Sequence, residues 1–223
     1  MTAKPRPPKR LRFPLGLSIL VVGMTTPLVY QAVATVLTAA AQSVATVVSL
    51  VVMWVAVLGV WLCLTGDNTS NIRFRLRLSK ADVAVAVLVC LGCLVLVPLL
   101  SVLVTQWLGT TQVIDTAQRG PVWLIIVGVA TAAVTEEVLY RAAPMELLLH
   151  SGASQKFAVA APLVVFIVCH LGNWNLAHII GVVVPMGLIL SLVYLWRRNL
   201  LVNMIVHFVV DAPLIVIAIN EQV

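Results

Sequence analysis

Charge is what this sequence has least of. Only 10% of its 223 residues are charged and 6% are aromatic, whereas 61% are hydrophobic, a balance that excludes an ordinary soluble globular domain. Also missing are the period-two alternation of a membrane barrel, a tandem repeat and a nucleotide-binding loop. The four cysteines, Cys63, Cys90, Cys93 and Cys169, all fall in apolar runs, so nothing speaks for a disulfide framework. The Cys90-x-x-Cys93 pair lacks a second cluster and reads as small core residues rather than a redox or metal motif. What the chain does have is apolar runs long enough to cross a hydrocarbon core of about 30 Å as helices. The expected fold class is therefore all-α, a polytopic transmembrane helical bundle of about seven spans.

The net charge of +6 is distributed as a topology signal, and no nucleic-acid partner is expected; the lipid bilayer is. Lys4, Arg6, Lys9, Arg10 and Arg12 precede the first span, Arg73, Arg75, Arg77 and Lys80 lie in one connector, and Lys156 and Arg197-Arg198 lie in two others. Placing these connectors in the cytoplasm leaves only Arg119 outside and Arg141 within the membrane, as positive-inside bias requires. The amino terminus is then cytoplasmic. Residues 1–12 read as a basic cytoplasmic arm that can touch anionic headgroups. The long apolar run behind them fits an uncleaved anchor better than a signal peptide.

Residues 13–120 are expected to hold the N-terminal membrane helices and loops. The apolar run from Phe13 to Leu64 must fold back, with the turn placed near Ala40 to Ser43. A polar, basic loop follows, with Ser79 positioned to cap a helix from about Ala81 to Leu108. Gly109 to Gly120 forms an outer loop, and Pro121 suits the first turn of the fourth span. Three more spans follow, Phe157–Leu171, Leu176–Trp196 and Leu200–Ile219.

The fourth span carries Thr135-Glu136-Glu137-Val138-Leu139-Tyr140-Arg141, three charges inside an apolar helix. A charge at this depth costs at least about 2.5 kcal/mol, so such groups face the bundle interior and find partners. Glu137 and Arg141 are i and i+4 with the acid first, the better order for an ion pair. Glu136 points about 100° away and has no base one turn on. A dry, unpaired carboxylate of this kind is placed to take a proton from water. Alternatively, all three charges form a buried polar latch between helices.

Two other spans bring histidines to similar depths. His170 follows Phe166 by four residues and His207 precedes Asp211 by four, so each pair shares a helix face. At about 1.5 Å per residue, Glu136, His170 and His207 lie roughly 18, 21 and 12 Å from their inner helix ends. The candidate site therefore sits between helices four, five and seven. His178 and His150 have no comparable companions and read as structural or solvated.

Glu136-Glu137-x-x-x-Arg141, Phe166-x-x-x-His170 and His207-x-x-x-Asp211, in this order on separate membrane helices, resemble the CPBP family of CAAX prenyl endopeptidases and bacteriocin-processing or immunity proteins, also called the Abi family. The resemblance makes residues 121–219 a CPBP-like membrane core and implies an intramembrane endopeptidase whose cavity opens toward the cytoplasm. It implies that Glu136 activates the attacking water, Arg141 holds Glu137, His170 binds or orients the water, and His207 with Asp211 stabilises the oxyanion. Where the family accepts Asn or Asp, this chain has Asp211, and an ionised carboxylate would repel an oxyanion. Asp211 must then be protonated or else orient His207.

No cofactor is expected, although two histidines and a carboxylate are also a zinc set. The expected substrate is a membrane-associated peptide or protein, hydrolysed by a multi-pass protein of a prokaryotic cell membrane. Alternatives are a non-catalytic immunity or scaffold protein and, less favoured for want of repeated halves, a proton-coupled transporter.

Overall fold

The computed structural model describes residues 12–65, 74–110, 122–172 and 174–220. The basic arm up to residue 11, Arg73, and the Asp115, Arg119 and Pro121 region lie outside the described residues. Seven helices follow in order: α1 Arg12–Ala34, α2 Ala39–Thr65, α3 Lys80–Leu108, α4 Val122–His150, α5 Gln155–His170, α6 Leu176–Arg197 and α7 Leu200–Asn220. Only two isolated β-bridges, Arg75 with Asn199 and Leu171 with Trp174, interrupt this all-α order among the described residues.

Six of the helices are long and apolar enough to cross a membrane, and α5 is shorter. With 16 residues α5 reaches about 24 Å, less than a full hydrocarbon core. The chain is thus a multi-pass integral membrane protein whose described residues form an all-α bundle of seven helices, six of them long enough to span, in keeping with the about seven spans expected from the sequence.

The first fold-back comes earlier than expected. α1 stops at Ala34 and α2 begins at Ala39, ahead of the Ala40 to Ser43 position. Local polar groups explain the shift, because the Gln42 amide donates to the Ala34 and Leu37 carbonyls at 3.0 and 3.2 Å while Thr38 Oγ1 accepts the Ala41 N–H at 3.4 Å. These bonds serve the carbonyls and amides that the two helix ends leave open. The cap at Ser79 forms as its sequence indicates, with Asp82 completing a capping box.

α4 and α6 are not uniformly α-helical. Residues Glu137–Ala142 and Ile179–Val183 form π-helical turns, and each ends just before a proline, Pro144 or Pro185. A proline inside a helix removes one N–H and presses its ring against the carbonyl four residues back. Widening the preceding turn relieves that clash.

Backbones approach closely where residues are small. A Cβ on Gly23 of α1 would lie 2.7 Å from Ala56 Cβ and 2.9 Å from Leu139 Cδ2, and one on Gly181 would lie 2.8 Å from Ser101 Cα. Two buried apolar clusters result, one joining α1, α2 and the π turn of α4, the other joining α3, α6 and α7. Cys90 and Cys93 are free thiols in the second cluster. Large apolar side chains such as Val95, Trp107 and Leu88 face outward, as a lipid-facing surface requires.

The ends of α4 and α6 and the starts of α3, α5 and α7 all meet at one end of the bundle, where the basic residues gather. Asp82 accepts from Arg75 at 2.6 Å, Arg197 at 2.6 and 3.0 Å, and the Ser79 amide and hydroxyl at 2.9 and 2.7 Å. Arg198 pairs with Glu146, which also accepts from Tyr194 at 3.1 Å.

Candidate active site

Glu137 is the centre of the buried polar cluster. With its side chain fully buried, it needs donors on both oxygens, and three elements supply them. Arg141 Nη1 stands 3.1 Å from Oε1, His207 Nδ1 lies 2.7 Å from the same oxygen, and Asn203 Nδ2 donates to Oε2 at 3.0 Å. The Arg141 contact is an ion pair by proximity, since neither Nη1 nor Nη2 makes a hydrogen bond among the described residues. Its guanidinium instead lies over the Phe166 ring, 4.0 Å from the centroid, a cation–π contact that partly replaces the missing acceptors.

Glu136 stands one residue earlier and differs in every respect. Its nearest cationic group among the described residues is His207, with Nε2 3.8 Å from Oε2. His207 Nε2 is also 3.3 Å from Asp211 Oδ2. The imidazole therefore has Glu137 on one nitrogen and Glu136 with Asp211 around the other. Side-chain exposure rises from 7% at His207 to 15% at Glu136 and 29% at Asp211. Both of the more open carboxylates lie farther from the basic end than their buried neighbours.

His170 stands apart from the contacts around His207. It occupies the last position of α5, with Nδ1 2.8 Å from the Phe166 carbonyl and its ring 4.3 Å from that of Phe166. A carbonyl can only accept, so Nδ1 carries the proton and Nε2 offers a lone pair. Phe166 is the link between the two halves of the site, touching Arg141 on one side and His170 on the other.

The helices are held in register around this cluster. Tyr140 Oη and Cys169 Sγ both donate to the Met24 carbonyl of α1, at 2.7 and 3.1 Å, and the Gln31 amide donates to the Cys169 carbonyl at 2.6 Å. Trp54 of α2 donates to Thr131, one turn before Thr135.

Sequence spacing did not mark two neighbours of the site. Asn203, four residues before His207, carries no charge, and its spacing is the one signal of it in the sequence. His178, read as lacking companions, lies within electrostatic reach of both His170 and Asp211 and stacks on Trp174 at 4.0 Å. The short turn after α5 brings the first turn of α6 beside the His170 end.

Among the described residues no three His, Cys, Asp or Glu side chains are grouped to hold a metal ion, and both nitrogens of His207 already face carboxylates.

Acidic side chains, imidazoles and a guanidinium buried among membrane helices define the class: an intramembrane protein with a polar site suited to acid–base chemistry. Residues 118–213 match the family model described as type II CAAX prenyl endopeptidase, Rce1-like. That match, over somewhat less than half of the chain, supports the CPBP family of CAAX-type proteases and, in general terms, an intramembrane endopeptidase activity. No curated protein and no solved structure matches the chain.

Proposed function

We propose that the protein hydrolyses a peptide bond in a membrane-associated peptide or protein, with Glu136 activating the water. The observation that carries this reading is the contrast between the adjacent acids: Glu137 is fully engaged, whereas Glu136 is partly open and, among the described residues, has a single ion-pair contact, the 3.8 Å approach of His207. Glu136 takes a proton from water as the oxygen attacks the carbonyl carbon. The C–N bond of the resulting tetrahedral intermediate then breaks, and Glu136 returns the proton to the leaving amine.

The remaining residues prepare these two steps. His170 accepts a hydrogen bond from the water through Nε2 and so aims its oxygen. A bare lone pair on His207 Nε2 would face two carboxylates, so Nε2 carries a proton, held by Asp211 at 3.3 Å and shared with the oxyanion as charge develops, which leaves Glu136 free to act as the base. Asp211 orients His207 by accepting that N–H. Arg141 keeps Glu137 ionised as the acceptor for His207 Nδ1.

Purified protein is tested on a quenched fluorescent peptide ending in a farnesylated Cys-aliphatic-aliphatic-X sequence, beside its unprenylated counterpart. Cleavage by the wild type and its loss in Glu136→Gln, with membrane insertion unchanged, supports the mechanism; full cleavage by Glu136→Gln ends it. Tagged membrane proteomes with and without this variant identify cellular substrates. Turnover that survives 1,10-phenanthroline fits the metal-free route, and chelator loss restored by zinc replaces it with a metalloprotease.

A further inference from the structure

Polar residues recur at intervals of four along α7: Asn199, Asn203, His207 and Asp211. They share one face, and the last two already belong to the proposed site. Asn199 closes the preceding turn, donating to the Arg77 carbonyl at 2.9 Å and accepting the Leu201 N–H at 3.1 Å. Asn203 has no such task at a helix end. It is fully buried, and its amide donates to Glu137 Oε2 at 3.0 Å and the Leu190 carbonyl at 2.7 Å. Both partners can only accept, which fixes the orientation of the amide.

The Asn203 oxygen, in contrast, receives no hydrogen bond among the described residues. An apolar side chain of the same shape would avoid leaving that acceptor unpaired. What distinguishes asparagine here is therefore what Nδ2 holds. Glu137 Oε1 is shared by Arg141 and His207, while Oε2 is held by Asn203. A carboxylate is planar, so fixing Oε2 sets the direction from which Oε1 receives the His207 Nδ1–H.

We propose that Asn203 is a positioning residue: it ties Glu137 to the backbone of α6 and thereby sets the ring of His207, so that Nε2 faces Glu136 and Asp211. The link to turnover rests on the proposed roles of Glu136 and His207, whereas the link to ring geometry does not. Asn203 touches none of the reacting atoms.

Asn203→Asp keeps the shape and removes the donor, and Asn203→Ala serves if that variant fails to insert. On the farnesylated peptide, kcat falls at least tenfold while KM stays within twofold of wild type. The second readout is the nitrogen-15 spectrum of histidine-labelled protein, which has only four histidines, with the His207 signals assigned by His207→Gln. These signals shift in the Asn203 variants. Wild-type His207 signals in a folded Asn203 variant overturn the proposal, whatever happens to turnover. Shifted signals with unchanged kcat overturn its catalytic half. If Glu136→Gln still cleaves while the Asn203 variants shift the His207 signals, the proposed function fails and the positioning of the ring stands.

Discussion

Two buried acids anchor two polar clusters in this bundle, and they differ in how completely their partners are satisfied. Asp82, at the basic end, accepts from two guanidinium groups and from the amide and hydroxyl of Ser79, and the arginines reach partly into solvent. Glu137, within the membrane, is held by groups that are themselves buried, and around it, among the described residues, remain an Arg141 whose Nη1 and Nη2 make no hydrogen bond, an Asn203 oxygen without a donor and a neighbouring acid whose single ion-pair contact is with an imidazole. The complete cluster ties connectors to helix ends. The incomplete one retains bonding capacity, which is what a reactive site needs.

The sharpest test of that contrast is Glu136→Gln, expected to lower turnover by about a hundredfold or more, as loss of a general base does, with no loss of thermal stability. Equal losses of turnover and stability would erase the distinction between the two clusters. Arg141→Met acts on the buried half and leaves Glu137 uncompensated. It is expected to destabilise the fold by about 3–5 kcal/mol, measured by denaturation in detergent. Asp82→Asn should cost less stability than Arg141→Met and leave kcat per folded molecule unchanged, because its arginine partners can turn to water. Smallest of all is Glu146→Gln, which weakens the partly exposed pair with Arg198 and should cost less than about 1 kcal/mol.

Geometry also predicts the direction of access. In a cysteine-free background, Asp211→Cys should react with a membrane-impermeant maleimide from the same side as Asn175→Cys and opposite to Lys156→Cys. Reaction from the Lys156 side would place the opening of the site at the basic end.

The parts of this structure legible in the sequence were those with strong local periodicity. The i, i+4 spacing of Glu137 and Arg141 gave their pairing and left Glu136 over, and the same spacing joined His207 to Asp211. The Ser79 cap followed from a short polar residue just before an apolar run. Contacts that depend on tertiary placement were not legible. Asn203 carries no charge to betray it, and His178 comes within electrostatic reach of His170 and Asp211 because the turn after α5 is short. The bonds from Arg75 and Arg197 to one acid were invisible to a reading in which basic residues served only as markers of topology. Pro144 and Pro185 were visible, but a proline can bend, break or widen a helix, and only packing decides among these.

The wide turn between Glu136 and Pro144 sets the rotational phase of α4. Restoring regular α-helical winding there at unchanged length, as Pro144→Ala would favour, would swing everything before it by about 100° relative to everything after. Glu146 could keep its place at the basic end while Glu136 turned away from His207. A change in winding too slight to alter how the helix crosses the membrane would then uncouple the acid proposed to activate water from its imidazole.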